Sequence, residues 1–240
     1  MCYNMKGERR INMKNTKMKI SFILNIIIVL MTVFAFIMMF TGFKFMYGPE
    51  TTIASSTVGR FRFFTIDSNL LMGIAALLFI IQEWKVLTGK QKRIAKRFYV
   101  YKLMATCAVG LTFIIVFFYL GRITPNGFFS IYMNQNLFFH GLIPLLSMIN
   151  FVLYEKTNEL WMRHTFMSMI PVVVYAMYYV TNILLHVENN HVSPTYDWYW
   201  FVQNGVTKVI VVLPMIFVLT YFIGFILMRL NKRCSVLKEL

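Results

Sequence analysis

Six runs of apolar residues, each long enough to cross a bilayer, alternate with short polar segments along this 240-residue chain. They lie at about 20–43, 63–84, 98–120, 137–154, 165–186 and 206–228. The shortest, 137–154, makes a helix of about 27 Å at 1.5 Å per residue, close to the thickness of a hydrocarbon core. A basic segment precedes the first run, as in a signal peptide, but a signal peptide's apolar stretch is only about 7–15 residues and this one is far longer. The pattern predicts an all-α polytopic membrane protein: a bundle of six transmembrane helices over 20–228, a basic N-terminal tail at 1–19 and a basic C-terminal tail at 229–240.

Composition agrees with lipid as the main solvent. Hydrophobic residues make up 58% of the chain and charged ones 14%, with a mean hydropathy of +0.63. In a soluble protein a net charge of +15 would suggest nucleic acid as a partner. Here the basic residues sit between apolar runs, as membrane loops place them, so nucleic acid is not expected. Cys2, Cys107 and Cys234 are scattered without a CxxC pair, which gives no support to a disulfide framework or a zinc knuckle.

Lys and Arg fall unequally on alternate sides of the six runs. The N-terminus, second loop, fourth loop and C-terminus carry 19 of the 24, with Lys102 counted in the second loop, against four in the other three loops. The remaining one, Lys208, lies inside the last run. By the positive-inside rule both termini are cytoplasmic, and the second, fourth and sixth spans begin at the outer surface.

Polar groups within the spans concentrate at that outer depth. RFFTIDSNLL opens the second span with Thr65, Asp67 and Asn69. Thr65, Asn69 and Met72 share a helix face, while Asp67 points elsewhere. His140 lies about one turn inside the fourth span, with Asn136 four residues earlier on its face. Asn182 and His186 follow Tyr178 and Tyr179 toward the outer end of the fifth span, and Asn204 and Lys208 are four apart in the sixth. Pro144 cannot donate to the carbonyl of His140, which frees that oxygen at the depth of the imidazole. Polar and ionisable groups at one membrane depth need partners or a purpose.

Structural roles compete for each of these residues. Thr65 could be the N-cap of the second span, with Asp67 favourable at the helix's positive end. His140 could be a packing histidine. Zinc held by His140, His186, His191 and Asp67 is chemically reasonable, but no tight ligand spacing supports it, and no cofactor or metal is expected. Lys208 reads as a snorkelling lysine, Trp198, Tyr199 and Trp200 as an interfacial belt, and Arg60 and Arg62 as headgroup contacts.

Phe64-Thr65 followed by Ser68-Asn69-Leu70, and the His-x-x-x-Pro from His140 to Pro144, resemble the androgen-induced gene 1 family of six-span membrane proteins, in its bacterial branch. The resemblance covers roughly 20–228. Animal members of that family are threonine hydrolases of fatty acid esters of hydroxy fatty acids. The resemblance implies Thr65 as nucleophile, His140 as base, a lipid or fatty-acid ester as substrate, and residence in a bacterial plasma membrane. Asp67 is then the candidate to orient His140, and Asn69, Asn182 or the free amides of the second span are candidate oxyanion donors. Asn136, His186 and Lys208 are supporting candidates. A non-enzymatic protein binding a lipid or small amphiphile in the same outer cavity is the alternative.

Overall fold

A computed structural model of the chain describes residues 2–48, 58–124, 126–189, 191–199, 201–202 and 209–236, with side chains described from residue 15 to residue 233. It is an all-α bundle in which six helices are long and apolar enough to span a membrane. They are α1 (Cys2–Thr41), α2 (Phe64–Leu87), α3 (Lys96–Ile123), α4 (Gln135–Leu153), α5 (Met162–Leu185) and α6 (Val209–Val236). Their apolar cores match the expected runs to within a few residues. The start of the sixth run at 206, and with it Lys208 and Asn204, lies outside the described residues.

The helices run alternately up and down. Phe22 near the start of the α1 apolar stretch stacks on Trp84 near the end of α2, and Phe79 of α2 meets Tyr99 near the start of α3. Thr157 and Asn231 join the α4–α5 connection to the end of α6. The start of the α1 apolar stretch and the end of α6 therefore lie at one end of the bundle, here the terminal end; the opposite end is the distal end.

α3 occupies the middle. Over its apolar stretch 56% of residues are buried within the protein, against 17% for α6, so α3 faces neighbours while α6 faces lipid. Its buried run from Ala105 to Gly110 is built of small residues, which lets helices approach closely where no water drives them together. The same device acts between α1 and α2: a Cβ on Gly73 would stand 2.8 Å from Thr32 Cγ2. α2 stops where Gly89 takes φ +74°, a left-handed position that glycine adopts without strain. Large apolar side chains such as Leu30, Phe34, Val174, Ile210 and Phe222 are exposed on the outer faces, where lipid would cover them.

α4 departs from regular geometry where Pro144 predicts it. Phe138–Leu142 is a π turn that ends two residues before the proline. The missing proline N–H breaks the regular hydrogen-bond ladder, and a wider turn takes up the mismatch. His140 sits inside this turn. At Pro171 the chain responds with an interruption at Ser168–Met169 within α5, whereas Pro214 stays inside a continuous α6.

Candidate functional site

The distal corner between α2 and α4 is built by residues that precede and follow the two helices. Val58–Arg62 forms a short 3-10 turn, Phe63 is extended, and α2 begins at Phe64. The cap of α2 is thus Phe63, which has no side-chain oxygen. The Phe64 amide donates instead to the Tyr199 hydroxyl at 2.8 Å, supplied by the α5–α6 connection. Ile66 and Asp67 donate to the Phe63 carbonyl. Thr65 is therefore not the N-cap, because it lies inside the helix and a tyrosine 134 positions later fills that role. The Thr65 hydroxyl, half-buried, makes no hydrogen bond among the described residues.

Asn69, one turn further along α2, is fully buried. Its Nδ2 donates to the carbonyl of Thr65 at 2.7 Å and to that of Phe139 at 3.0 Å. These two carbonyl oxygens are thus no more than 5.7 Å apart, the sum of the two bonds, and residues 65 and 139–140 are brought to one corner. Ser68 also donates to the Thr65 carbonyl at 3.1 Å and meets Thr112 of α3 at 3.3 Å. The Asn69 Oδ1, buried beside them, has no hydrogen-bond partner.

His140 is oriented from the opposite side. Its Nδ1 is 3.1 Å from the carbonyl of Ile131, in the 3-10 turn Phe128–Tyr132. A carbonyl only accepts, so Nδ1 carries a proton, and in the neutral form of the ring Nε2 is the basic nitrogen. The edge of Tyr132 packs against the imidazole with centroids 6.4 Å apart, and its buried hydroxyl has no partner. No hydrogen bond joins the Thr65 hydroxyl to the His140 ring.

Asp67 does not orient His140. It is half-buried on another face of α2, without a hydrogen bond or ion pair among the described residues, close enough to Tyr199 for its charge to act on that phenol. Burial, with Asp67 adding to it, holds the Tyr199 phenol above its ordinary range. Asn136 donates from its backbone to the Met133 carbonyl at 3.0 Å, at the entry to α4, and its side chain makes no hydrogen bond. Asn182 and His186 belong to a separate arrangement. Asn182 Nδ2 donates to the Tyr196 carbonyl at 2.7 Å; His186 stacks on Tyr196 with ring centroids 3.6 Å apart and places Nδ1 2.8 Å from the Asn182 carbonyl. They fasten the α5–α6 connection to α5. Among the described residues no three His, Cys, Asp or Glu side chains come together as metal ligands, and His140, His186, His191 and Asp67 do not form a cluster.

The α5–α6 connection is a packed cover rather than an interfacial fringe. Trp198 is buried, and Asp197 accepts from Tyr179 and from the amides of Phe201 and Val202, both at 3.0 Å. Arg62 is engaged within the protein: its guanidinium lies over Phe63 and Trp198 at 5.2 and 5.6 Å, Nη1 donates to the Thr195 carbonyl at 3.1 Å, and its own carbonyl accepts from Tyr175. Trp200 lies outside the described residues. A second brace, unforeseen from the sequence, is Asn134, whose Oδ1 accepts from Phe45 and Met46 at 3.0 and 2.9 Å and ties the α1–α2 connection to the α3–α4 connection. Asn134 has φ +53°, and a left-handed asparagine at a turn is the only local signal for it.

No protein-family model, curated protein or solved structure matches the chain.

Proposed function

We propose that this integral membrane protein is an intramembrane hydrolase of lipid or fatty-acid esters, of the androgen-induced gene 1 type. In this reading it resides in a bacterial plasma membrane with both termini cytoplasmic and the distal corner in the outer leaflet. One observation carries the proposal: at the α2–α4 corner Asn69 joins the carbonyls of Thr65 and Phe139, so a threonine hydroxyl without a hydrogen bond among the described residues lies on one segment and an imidazole whose Nδ1 faces a carbonyl lies on the other. Thr65 Oγ1 attacks the ester carbonyl carbon as His140 Nε2 takes its proton. The C–O bond to the alcohol then breaks, the imidazolium returns the proton to the departing alkoxide, and water hydrolyses the acyl-threonine by the same route. Both amide hydrogens of Asn69 are engaged by carbonyls, so Asn69 positions the two segments rather than serving the oxyanion. The Thr65 amide, outside the turn bonds that engage Ile66 and Asp67, is the better-placed oxyanion donor.

The absence of a hydrogen bond between Thr65 and His140 favours one other reading, an amphiphile-binding site without chemistry. Fluorophosphonate labelling of detergent-purified protein separates the two. Hydrolysis requires labelling that is lost in Thr65→Ala, retained in part in Thr65→Ser and strongly slowed in His140→Asn. Labelling that persists in folded Thr65→Ala protein would eliminate the threonine mechanism.

A further inference from the structure

At the terminal end, five helices converge on one buried polar cluster. Asn25 of α1 donates from Nδ2 to Glu83 Oε2 of α2 at 3.2 Å and to Glu155 Oε1, just beyond α4, at 2.9 Å. Lys102 of α3 lies 3.1 Å from that same Oε1 and donates to Asn25 Oδ1. Asn150 of α4 brings a third donor to Oε1 at 2.8 Å. Asn231 of α6 holds the backbone, donating to the carbonyls of Phe151 and Glu155 at 2.6 and 2.7 Å. None of these side chains reaches solvent: Asn25, Lys102, Asn150 and Asn231 are 0% exposed, Glu83 1% and Glu155 2%.

The charges do not balance. The cluster holds two carboxyl groups and one ammonium. Its remaining polar partners, Ser21, Asn25, Asn150 and Asn231, do not titrate, and Tyr99 alongside brings a phenol rather than a cation. Glu159, which also acts on Tyr99, is paired with Arg93 at 3.2 Å on the surface. Fully ionised, the cluster carries one uncompensated negative charge in a site shut off from water, which is strongly disfavoured. Hydrogen bonding is unbalanced in the same sense. Three donors crowd Glu155 Oε1, while Glu155 Oε2 and Asn150 Oδ1, on two side chains in direct contact, have none. Acceptors are in surplus, and one hydrogen is missing.

We infer that this cluster is a proton-binding site, in which Glu83 and Glu155 together hold one exchangeable proton. A proton supplies both the missing positive charge and the missing donor, whereas a metal cation would have to sit against the Lys102 ammonium. Burial raises the Glu155 carboxyl above its ordinary range, with Lys102 and Asn25 opposing. A carboxyl raised on folding stabilises the folded state below its unfolded pKa and loses that contribution as pH rises through the folded value. The terminal end is therefore a proton-dependent staple on α1, α2, α3, α4 and α6, tight when protonated and loosened when the proton leaves.

The test is infrared spectroscopy of the full-length protein in lipid nanodiscs across a pH series, with 13C-glutamate labelling to assign the carboxyl bands, beside thermal unfolding over the same pH range in sodium and in choline buffers. Wild-type protein should show a buried protonated glutamic acid at neutral pH that disappears on alkalinisation, with the unfolding midpoint falling over the same interval. Glu83→Gln should lose both the band and the pH dependence, because Glu155 and Lys102 then balance without a proton. Lys102→Met should about double the band at low pH, where both carboxyls take up protons. A wild-type spectrum without a protonated glutamic acid at neutral pH overturns the inference, and that measurement needs no variant to fold. So does a band that survives Glu83→Gln, or stabilisation that follows sodium rather than pH.

Discussion

The two ends of this bundle use buried polar groups in opposite ways. At the terminal end, Asn25, Glu83, Lys102, Asn150, Glu155 and Asn231 point mainly at one another, and each helix that contributes is tied to at least one other. At the distal corner, backbone carbonyls take up Asn69 and His140 Nδ1, yet the buried Asn69 Oδ1 and Tyr132 hydroxyl, and the half-buried Thr65 hydroxyl, remain without partners among the described residues. Polar groups in an apolar solvent are costly unless bonded. Groups consumed in mutual bonds build stability, and groups left open at one depth are available to a ligand. The contrast is one of degree, because Glu155 Oε2 and Asn150 Oδ1 of the terminal end are also without partners; it fits a framework at the terminal end and supports the site proposed at the distal corner.

Breaking the framework should have the largest effect. Lys102→Ala removes the single cation from a fully buried cluster, leaving two carboxyls facing Asn25. Removing one member of a buried ion pair costs about 3–5 kcal/mol, and thermal unfolding in detergent should register a loss of that size unless both carboxyls take up protons at low pH. A Lys102→Ala protein as stable as wild type at neutral pH would remove the distinction between the two ends.

Asn231→Leu comes next. The side chain fills similar space but loses two donated bonds to buried carbonyls and one accepted from the Thr157 amide at 3.1 Å. Buried backbone groups left unsatisfied cost about 1–3 kcal/mol each, partly offset by relaxation, so a total loss of about 2–4 kcal/mol is expected by the same reasoning. It should appear as a lower unfolding midpoint with ester hydrolysis per folded molecule unchanged.

A subtler change sits between the two regimes. Tyr199→Phe deletes the oxygen that caps α2 while keeping the ring against Phe63 and Phe201. Loss of a cap costs about 0.5–2 kcal/mol. Because the cap sets the start of α2 one residue before Thr65, turnover should fall as well, unlike in Asn231→Leu. Equal turnover in Tyr199→Phe and wild type would detach the cap from the site.

The sequence carries these two ends unequally. Six spans are legible because hydropathy is a one-dimensional signal, and the depth of Thr65, Asn69 and His140 follows from counting residues into each span. The framework is not legible in that way. Lys102 looks like a loop lysine, yet it lies six residues into α3, about 9 Å along the helix, and is fully buried. Glu83 and Glu155 sit at the polar margins of their runs, where charge is ordinary. What makes them a cluster is pairing across 58, 77 and 130 positions, which no local pattern encodes. The visible trace is modest: Ser21 and Asn25 four apart inside a span, and Glu83 before the end of another. Moving Lys102 from the loops to the interior leaves 18 basic residues against four, so the asymmetry behind the expected orientation remains. The partner of His140 was hidden for a different reason. Every residue has a backbone carbonyl, and nothing in the side chain of Ile131 marks its own as the acceptor.

The smallest stability effect should come from the residue with the largest proposed effect on activity. Thr65→Val keeps the β-branched shape of threonine and exchanges the hydroxyl for a methyl. At most buried sites that exchange is costly because the hydroxyl was bonded. Here it is not bonded, and Ser68 and Asn69 address the Thr65 backbone carbonyl, which valine retains. The unfolding midpoint should therefore shift by no more than about 0.5 kcal/mol equivalent, as at positions without a specific interaction, while hydrolysis of a medium-chain aryl ester disappears. Thr65→Ser, which restores the hydroxyl, should recover part of the turnover. A Thr65→Val protein destabilised by about 1–2 kcal/mol would show that the hydroxyl has a structural bond after all, and the distal corner would then resemble the terminal end. Full stability with unchanged hydrolysis would leave the corner open but assign the reaction to another group.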